Sequence, residues 1–157
     1  MIRVLFICHG NICRSPMAMM ILANKVNELG LKSEFVIDSK AVSSEELGNN
    51  IYPPALKVLK LHNIPLLNHH ASRFEPYQYD LYDYIIAMDR SNINRLNLIA
   101  QDTKNKYRLL SSFMRLDKEV DDPWYTRDFE SCYEEIDTYL NGFIAYLKRY
   151  KKIKLID

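Results

Sequence analysis

The chain has 157 residues, 48% of them apolar and 26% charged. That size and mixture fit one soluble globular domain over 1–157 and exclude a disordered tail or a collagen-like fibre. Lysine plus arginine number 21 against 20 aspartates and glutamates, a net charge of +1, which argues against the broad basic face that nucleic-acid binding needs. In chain order, the first element expected is a strand at Val4-Leu5-Phe6-Ile7, an uninterrupted apolar run suited to burial on both faces. A short loop follows. Ser15 as cap and Pro16 at the first helical position then open a helix to about residue 29, stopped by Gly30.

Residues 35–37 read as a second strand and residues 53–62 as a helix with Ala55, Leu56 and Leu59 inward. A third buried strand covers 84–88, a helix about 91–100, and a fourth strand 107–110. The last helix carries one apolar stripe, Phe129, Tyr133, Ile136, Leu140, Phe143, Leu147 and Tyr150, at alternating steps of four and three. Strands alternating with helices predict an α/β fold: three α/β/α layers with a four-stranded parallel sheet. Ligands of such sheets sit beyond the carboxyl ends of the strands. The loop after the first strand is therefore the place to look.

That loop reads Cys8-His9-Gly10-Asn11-Ile12-Cys13-Arg14-Ser15-Pro16. A tight turn ending at a helix start gathers backbone N–H groups into an anion cradle. Gly10 is expected to take the backbone angles that let successive N–H groups point inward. Arg14 adds a planar guanidinium able to grip two phosphate oxygens. The same positive surroundings favour the reactive thiolate form of Cys8. Ser15 is placed to donate to that sulfur, and Asn11 to brace the loop through its amide.

Residues 8–15 match throughout the Cys-x-Gly-Asn-x-Cys-Arg-Ser pattern, and the chain resembles the low-molecular-weight protein tyrosine phosphatases. Asp122-Pro123-Trp124-Tyr125 matches a second signature of that family. Asp38-Ser39, His70 within His70-Ala71-Ser72-Arg73, and Met88-Asp89-Arg90-Ser91-Asn92 extend the likeness over nearly the whole chain. The resemblance implies a phosphotyrosine phosphatase acting on phosphotyrosine proteins or small aryl phosphates, inhibited by phosphate and vanadate. It implies Cys8 as nucleophile, forming a phosphocysteine, and Arg14 with the loop amides as phosphate ligands. Asp122 falls at the general-acid position, with Asp121 as the rival carboxylate. His9, Gly10, Asn11, Ile12, Cys13 and Ser15 line the substrate site in this reading. Glu45 falls on its rim, beside Glu46, and Trp124 and Tyr125 on its aromatic wall. Asn11, Ser15, His70 and Asp89 are assigned to structural support. Tyr125 is also a candidate phosphorylation site.

The resemblance also places Cys13 beside Cys8, close enough to trap an oxidised Cys8 as a disulfide. No cofactor and no metal are expected, since His9, His62, His69 and His70 lack metal-ligand spacing with the cysteines. An odd, low cysteine count and an N-terminal apolar run too short for a signal or a span point to the cytoplasm, without membrane attachment. Cys132 reads as a half-buried core thiol, and Lys148, Arg149, Lys151, Lys152 and Lys154 as a solvated helix end. Two other functions compete. A thiol-dependent arsenate reductase needs relay cysteines, and none lies between Cys13 and Cys132. A non-catalytic phosphotyrosine-binding module would not need Cys8, Arg14 and Asp122 together.

Overall fold

The computed structural model describes residues 1–154. Strand β1 covers Ile2–Cys8, β2 Phe35–Ala41, β3 Tyr84–Ala87 and β4 Tyr107–Leu109. They form one parallel sheet in the order β2-β1-β3-β4. Helices α1 (Arg14–Glu28), α2 (Pro53–Leu61), α3 (Arg90–Ile99), α4 (Pro123–Thr126) and α5 (Phe129–Arg149) complete the regular structure with three short 3₁₀ turns.

The sheet is covered on both faces, and β1 shows why. Its side chains alternate: Val4, Phe6 and Cys8 enter a core shared with α1, α2 and α5. Leu5 and Ile7 enter a second core, with Phe74, Tyr79 and Leu96 on the side of α3. A period of two with both faces buried gives the uninterrupted apolar run seen in the sequence. The expected three-layer, four-stranded parallel architecture is the one observed.

Several boundaries differ. β2 continues past the apolar triplet through Asp38, Ser39, Lys40 and Ala41, because all seven of its residues pair with β1. Backbone pairing with the central strand β1 outweighs the polar character of those side chains. α5 ends at Arg149, and Tyr150, counted as the end of its stripe, is 54% exposed. The turns Pro76–Leu81 and Leu110–Met114 and the short helix α4 carry no periodic signal and lie outside the sequence expectation. Of Tyr77, Tyr79, Tyr82 and Tyr84, which lead into β3, Tyr79 and Tyr82 are buried while Tyr77 stands in solvent. Cys132 is fully buried on α5 rather than half-buried. Among the described residues no helix is long and apolar enough to cross a membrane.

Candidate active site

β1 ends at Cys8 and α1 begins at Arg14, so the intervening turn sits at the carboxyl edge of the sheet. The cap differs from expectation. Cys13 is the N-cap, without a side-chain cap bond, and Pro16 occupies the third helical position instead of the first. Ser15 does not cap because its hydroxyl is used inside the loop. Its Oγ lies 3.0 Å from Cys8 Sγ and accepts a hydrogen bond from Asn11 Nδ2 at 2.8 Å. The first intrahelical bond is Met17 N–H to Cys13 carbonyl. The N–H groups of Arg14 and Ser15 therefore stay free of helical partners, and proline has none to leave unpaired.

The strained residue is Asn11, not Gly10. Asn11 has φ +62°, and the only glycines with positive φ are Gly30 and Gly48. Asparagine tolerates the left-handed region because its short amide satisfies itself nearby. Here that amide is fully committed. Nδ2 also donates to Ser39 Oγ at 2.9 Å, and Oδ1 accepts from the Ser72 N–H at 3.2 Å. The left-handed turn aims the Asn11 N–H at Cys8 Sγ, 3.3 Å away. Gly10 matters for space: a Cβ there would come within 3.3 Å of Glu46 Cγ.

Arg14 is almost completely buried and held on two sides. Nη1 donates to Asp89 Oδ2 and to the Val120 carbonyl, both at 2.8 Å, and Nη2 lies 3.5 Å from Asp122 Oδ2. Burial opposes its charge, but Cys8, Asp89 and Asp122 outweigh that and hold its pKa above the ordinary value. Asp89 uses its other oxygen to cap α3, accepting the Asn92 N–H at 2.8 Å. Asp122 caps α4 through Trp124 N–H at 3.0 Å, which fixes its carboxylate toward Arg14. Asp121 is exposed and outside the cavity.

A cavity of about 140 Å³ opens over this arrangement. Cys8, His9, Gly10, Ile12, Cys13 and Arg14 form its floor, Asp122, Trp124 and Tyr125 one wall, and Glu45 and Glu46 the opposite rim. His9 Nε2 reaches Glu45 Oε2 at 3.1 Å across the mouth. Trp124 leans on Tyr52, their ring centroids 4.9 Å apart. Asn11 and Ser15 lie beneath the floor, fully buried. Burial, with the nearby Cys8 and Asp122, pushes the Cys13 thiol well above its ordinary pKa, and burial raises Cys132 to about 12.

The histidine assignment needs correction. His69 donates from Nε2 to the Asn11 carbonyl at 2.7 Å, in a buried setting. His70 is exposed, its Nδ1 only 3.3 Å from the Gly48 carbonyl. Neighbours in an extended segment point to opposite sides, so a one-residue offset moves the ring from loop to solvent. Burial lowers the pKa of His69, keeping it a neutral donor. Ser43, which donates to the His9 carbonyl, and Ser72 also support the loop. The sequence offers no periodic or spacing signal for either.

Residues 3–153 match the family model described as low molecular weight phosphotyrosine protein phosphatase. The chain belongs to this family. It is 34% identical over 155 residues to the low molecular weight protein-tyrosine-phosphatase PtpA of Staphylococcus epidermidis, covering 98% of this chain and 99% of that one. The crystal structure of YfkJ from Bacillus subtilis superposes with a TM-score of 0.91 at 32% identity, over 96% of this chain and 97% of the other. That of SP-PTP, a low molecular weight protein tyrosine phosphatase from Streptococcus pyogenes, gives 0.80 at 32% identity, over 95% and 93%. Like other low molecular weight phosphatases, the protein is a hydrolase.

Proposed function

We propose that the protein hydrolyses phosphotyrosine in proteins, and small aryl phosphate monoesters, through a phosphocysteine on Cys8. The observation that carries this reading is the convergence of Cys8, Arg14 and Asp122 on one cavity, with Arg14 locked by Asp89 and the Val120 carbonyl. In the thiolate form Cys8 only accepts, so the Ser15 hydroxyl and the Asn11 N–H both donate to Sγ. Sγ attacks phosphorus; the S–P bond forms as the bond to the phenolic oxygen breaks. Asp122 protonates that oxygen as it leaves. In the second step the Asp122 carboxylate takes a proton from water, which attacks phosphorus, breaks the S–P bond and releases phosphate.

The transition state spreads negative charge over the equatorial oxygens, where Arg14 and the loop amides stabilise it without reorganising. Neither step calls for a metal ion or cofactor. Trp124 and Tyr125 suit the flat faces of a phenyl ring. Phosphate and vanadate are expected to inhibit by occupying the same cradle. Peroxide is expected to convert Cys8 to the sulfenic acid, which condenses with the Cys13 thiol to a disulfide and water. Such thiol chemistry suits the cytoplasm.

The test is hydrolysis of para-nitrophenyl phosphate by wild type beside Cys8→Ser. Turnover is expected to fall at least about a thousandfold while vanadate still binds. Substantial hydrolysis by Cys8→Ser overturns the nucleophile assignment.

A further inference from the structure

A larger cavity, about 460 Å³, lies apart from the catalytic one and shares no residue with it. It falls in the size range of small-molecule sites, roughly 300–1,000 Å³. It sits between the turn Leu110–Met114 and the second half of α5. Gly142 on α5 begins that stretch, about 20 Å along the helix from Phe129 at a rise of ~1.5 Å per residue. Three arginines line it, Arg108, Arg115 and Arg149, and among the described residues no carboxylate does.

Arg108 is fixed in place. Its Nε donates to Ser112 Oγ at 3.0 Å and its Nη2 to the Ser112 carbonyl at 3.3 Å. Its guanidinium carbon lies 3.9 Å from the Phe113 ring centroid and 5.1 Å from that of Tyr146. Aromatic faces and a hydroxyl hold the side chain without neutralising it. None of the three arginines has an ion pair among the described residues. The approach of the turn to the helix is itself arranged. A Cβ on residue 142 would fall 2.1 Å from Met114 Cγ, so only glycine lets Met114 lie there. Arg115 then takes φ +60° and ends the turn, and it lines the same cavity as Arg149.

Three like charges gathered around one concavity repel, and low-dielectric walls concentrate their field. The arrangement gains free energy when an anion of comparable charge enters. Planar guanidinium groups match phosphate oxygens in geometry as well as charge. We propose that this cavity is a second anion site, which binds a polyphosphate chain independently of the catalytic loop. A free inorganic polyphosphate and a nucleoside polyphosphate share that chemistry. Tyr146 and Tyr150, with centroids 4.7 Å apart, supply faces on which a base would stack.

The test titrates tripolyphosphate, then ATP, into the full chain while backbone amides are followed by NMR. Arg115→Asn/Arg149→Ala is the comparison variant, with asparagine chosen because it tolerates positive φ. In wild type, amides of residues 108–115 and 142–150 are expected to shift with their own binding curve, separate from any shift at 8–15. In the variant that curve is expected to weaken at least tenfold, while para-nitrophenyl phosphate hydrolysis is unchanged. Stronger binding of ATP assigns the aromatic wall to a base; equal binding assigns the site to the phosphates alone. Shifts confined to residues 8–15, or a curve at 108–150 that survives the double substitution, overturn the proposal.

Discussion

Arg14 and Arg108 are both held rigid, and by opposite means. Arg14 is gripped by carboxylates, with Asp89 at 2.8 Å and Asp122 at 3.5 Å. Arg108 is gripped by the Phe113 and Tyr146 rings and by Ser112. A guanidinium paired to carboxylates can sit deep in a core, because its charge is compensated before any substrate arrives. One pinned by aromatic faces keeps its full charge and must stay near solvent. The catalytic cavity thus presents an oriented but balanced cation, whereas the second cavity gathers arginines that have no paired carboxylate among the described residues. Orientation serves chemistry, and imbalance serves capture.

The largest expected effect tests the balanced side. Arg14→Ala removes the guanidinium proposed to grip phosphate and leaves Asp89 and Asp122 without their ion-pair partner. We expect kcat/KM for para-nitrophenyl phosphate to fall at least about a thousandfold. Stability should fall by about 3 kcal/mol, read by urea unfolding. Arg108→Ala should leave kcat/KM intact and cost about 1 kcal/mol of aromatic contact. Equal losses of stability in the two variants would erase the distinction.

Next is Asp122, the carboxylate shared between Arg14 and the cavity. Asp122→Ala is expected to slow aryl phosphates with poor leaving groups about a hundredfold, and good leaving groups far less. Asp121→Ala should change neither. A larger loss from Asp121→Ala reassigns the acid.

Asn11 separates backbone strain from hydrogen bonding in the loop that faces Arg14. Asn11→Gly keeps positive φ accessible but loses the bonds to Ser15, Ser39 and Ser72; Asn11→Ala loses both. Both variants should be slower and less stable, with Ala worse than Gly by about 1 kcal/mol. Identical unfolding free energies would mean that the left-handed turn costs nothing.

His69 should show a smaller, pH-dependent effect. Its folded pKa lies below the ordinary 6.5, so the unfolded chain binds more protons in acid. This part of the stability is present above about pH 6.5 and is lost as pH falls toward the folded value. His69→Gln should flatten the decline in Tm between about pH 7 and about pH 5. An unchanged slope in His69→Gln would remove His69 from the account.

The smallest effect lies at the rim. Glu45 is 68% exposed by side chain, and exposed charges contribute about 1 kcal/mol or less. Glu45→Lys/Glu46→Lys should shift kcat/KM severalfold from phosphotyrosine peptides with basic flanks toward acidic ones, fading with added salt. An unchanged ratio at low salt excludes the two glutamates from substrate choice.

Within the loop, the residue types that chemistry needs were legible because their spacing is local. Cys8 and Arg14 fall in one turn between strand and helix, and no long-range information is needed to place them together. The buried runs at Val4–Ile7 and Ile85–Ala87 likewise announce a parallel sheet through composition alone. Positions that depend on which side a chain segment faces were not legible. The choices of His69 over His70 and of Asn11 over Gly10 as the strained residue are both of this kind.

The sequence by itself determined the layer architecture and the strand–loop–helix cradle, which rest on periodicity and on short-range spacing and so survive in one dimension. The pairing of that loop with Asp122-Pro123 came only through the resemblance to the family. Only the tertiary structure decided which partners fix Arg14, which histidine braces the loop, and that Arg108, Arg115 and Arg149 share a cavity. Those depend on contacts between residues far apart in the chain, 106 positions in the case of Arg14 and Val120. Their geometry is set by how helices and turns pack on the sheet, and no local pattern encodes it.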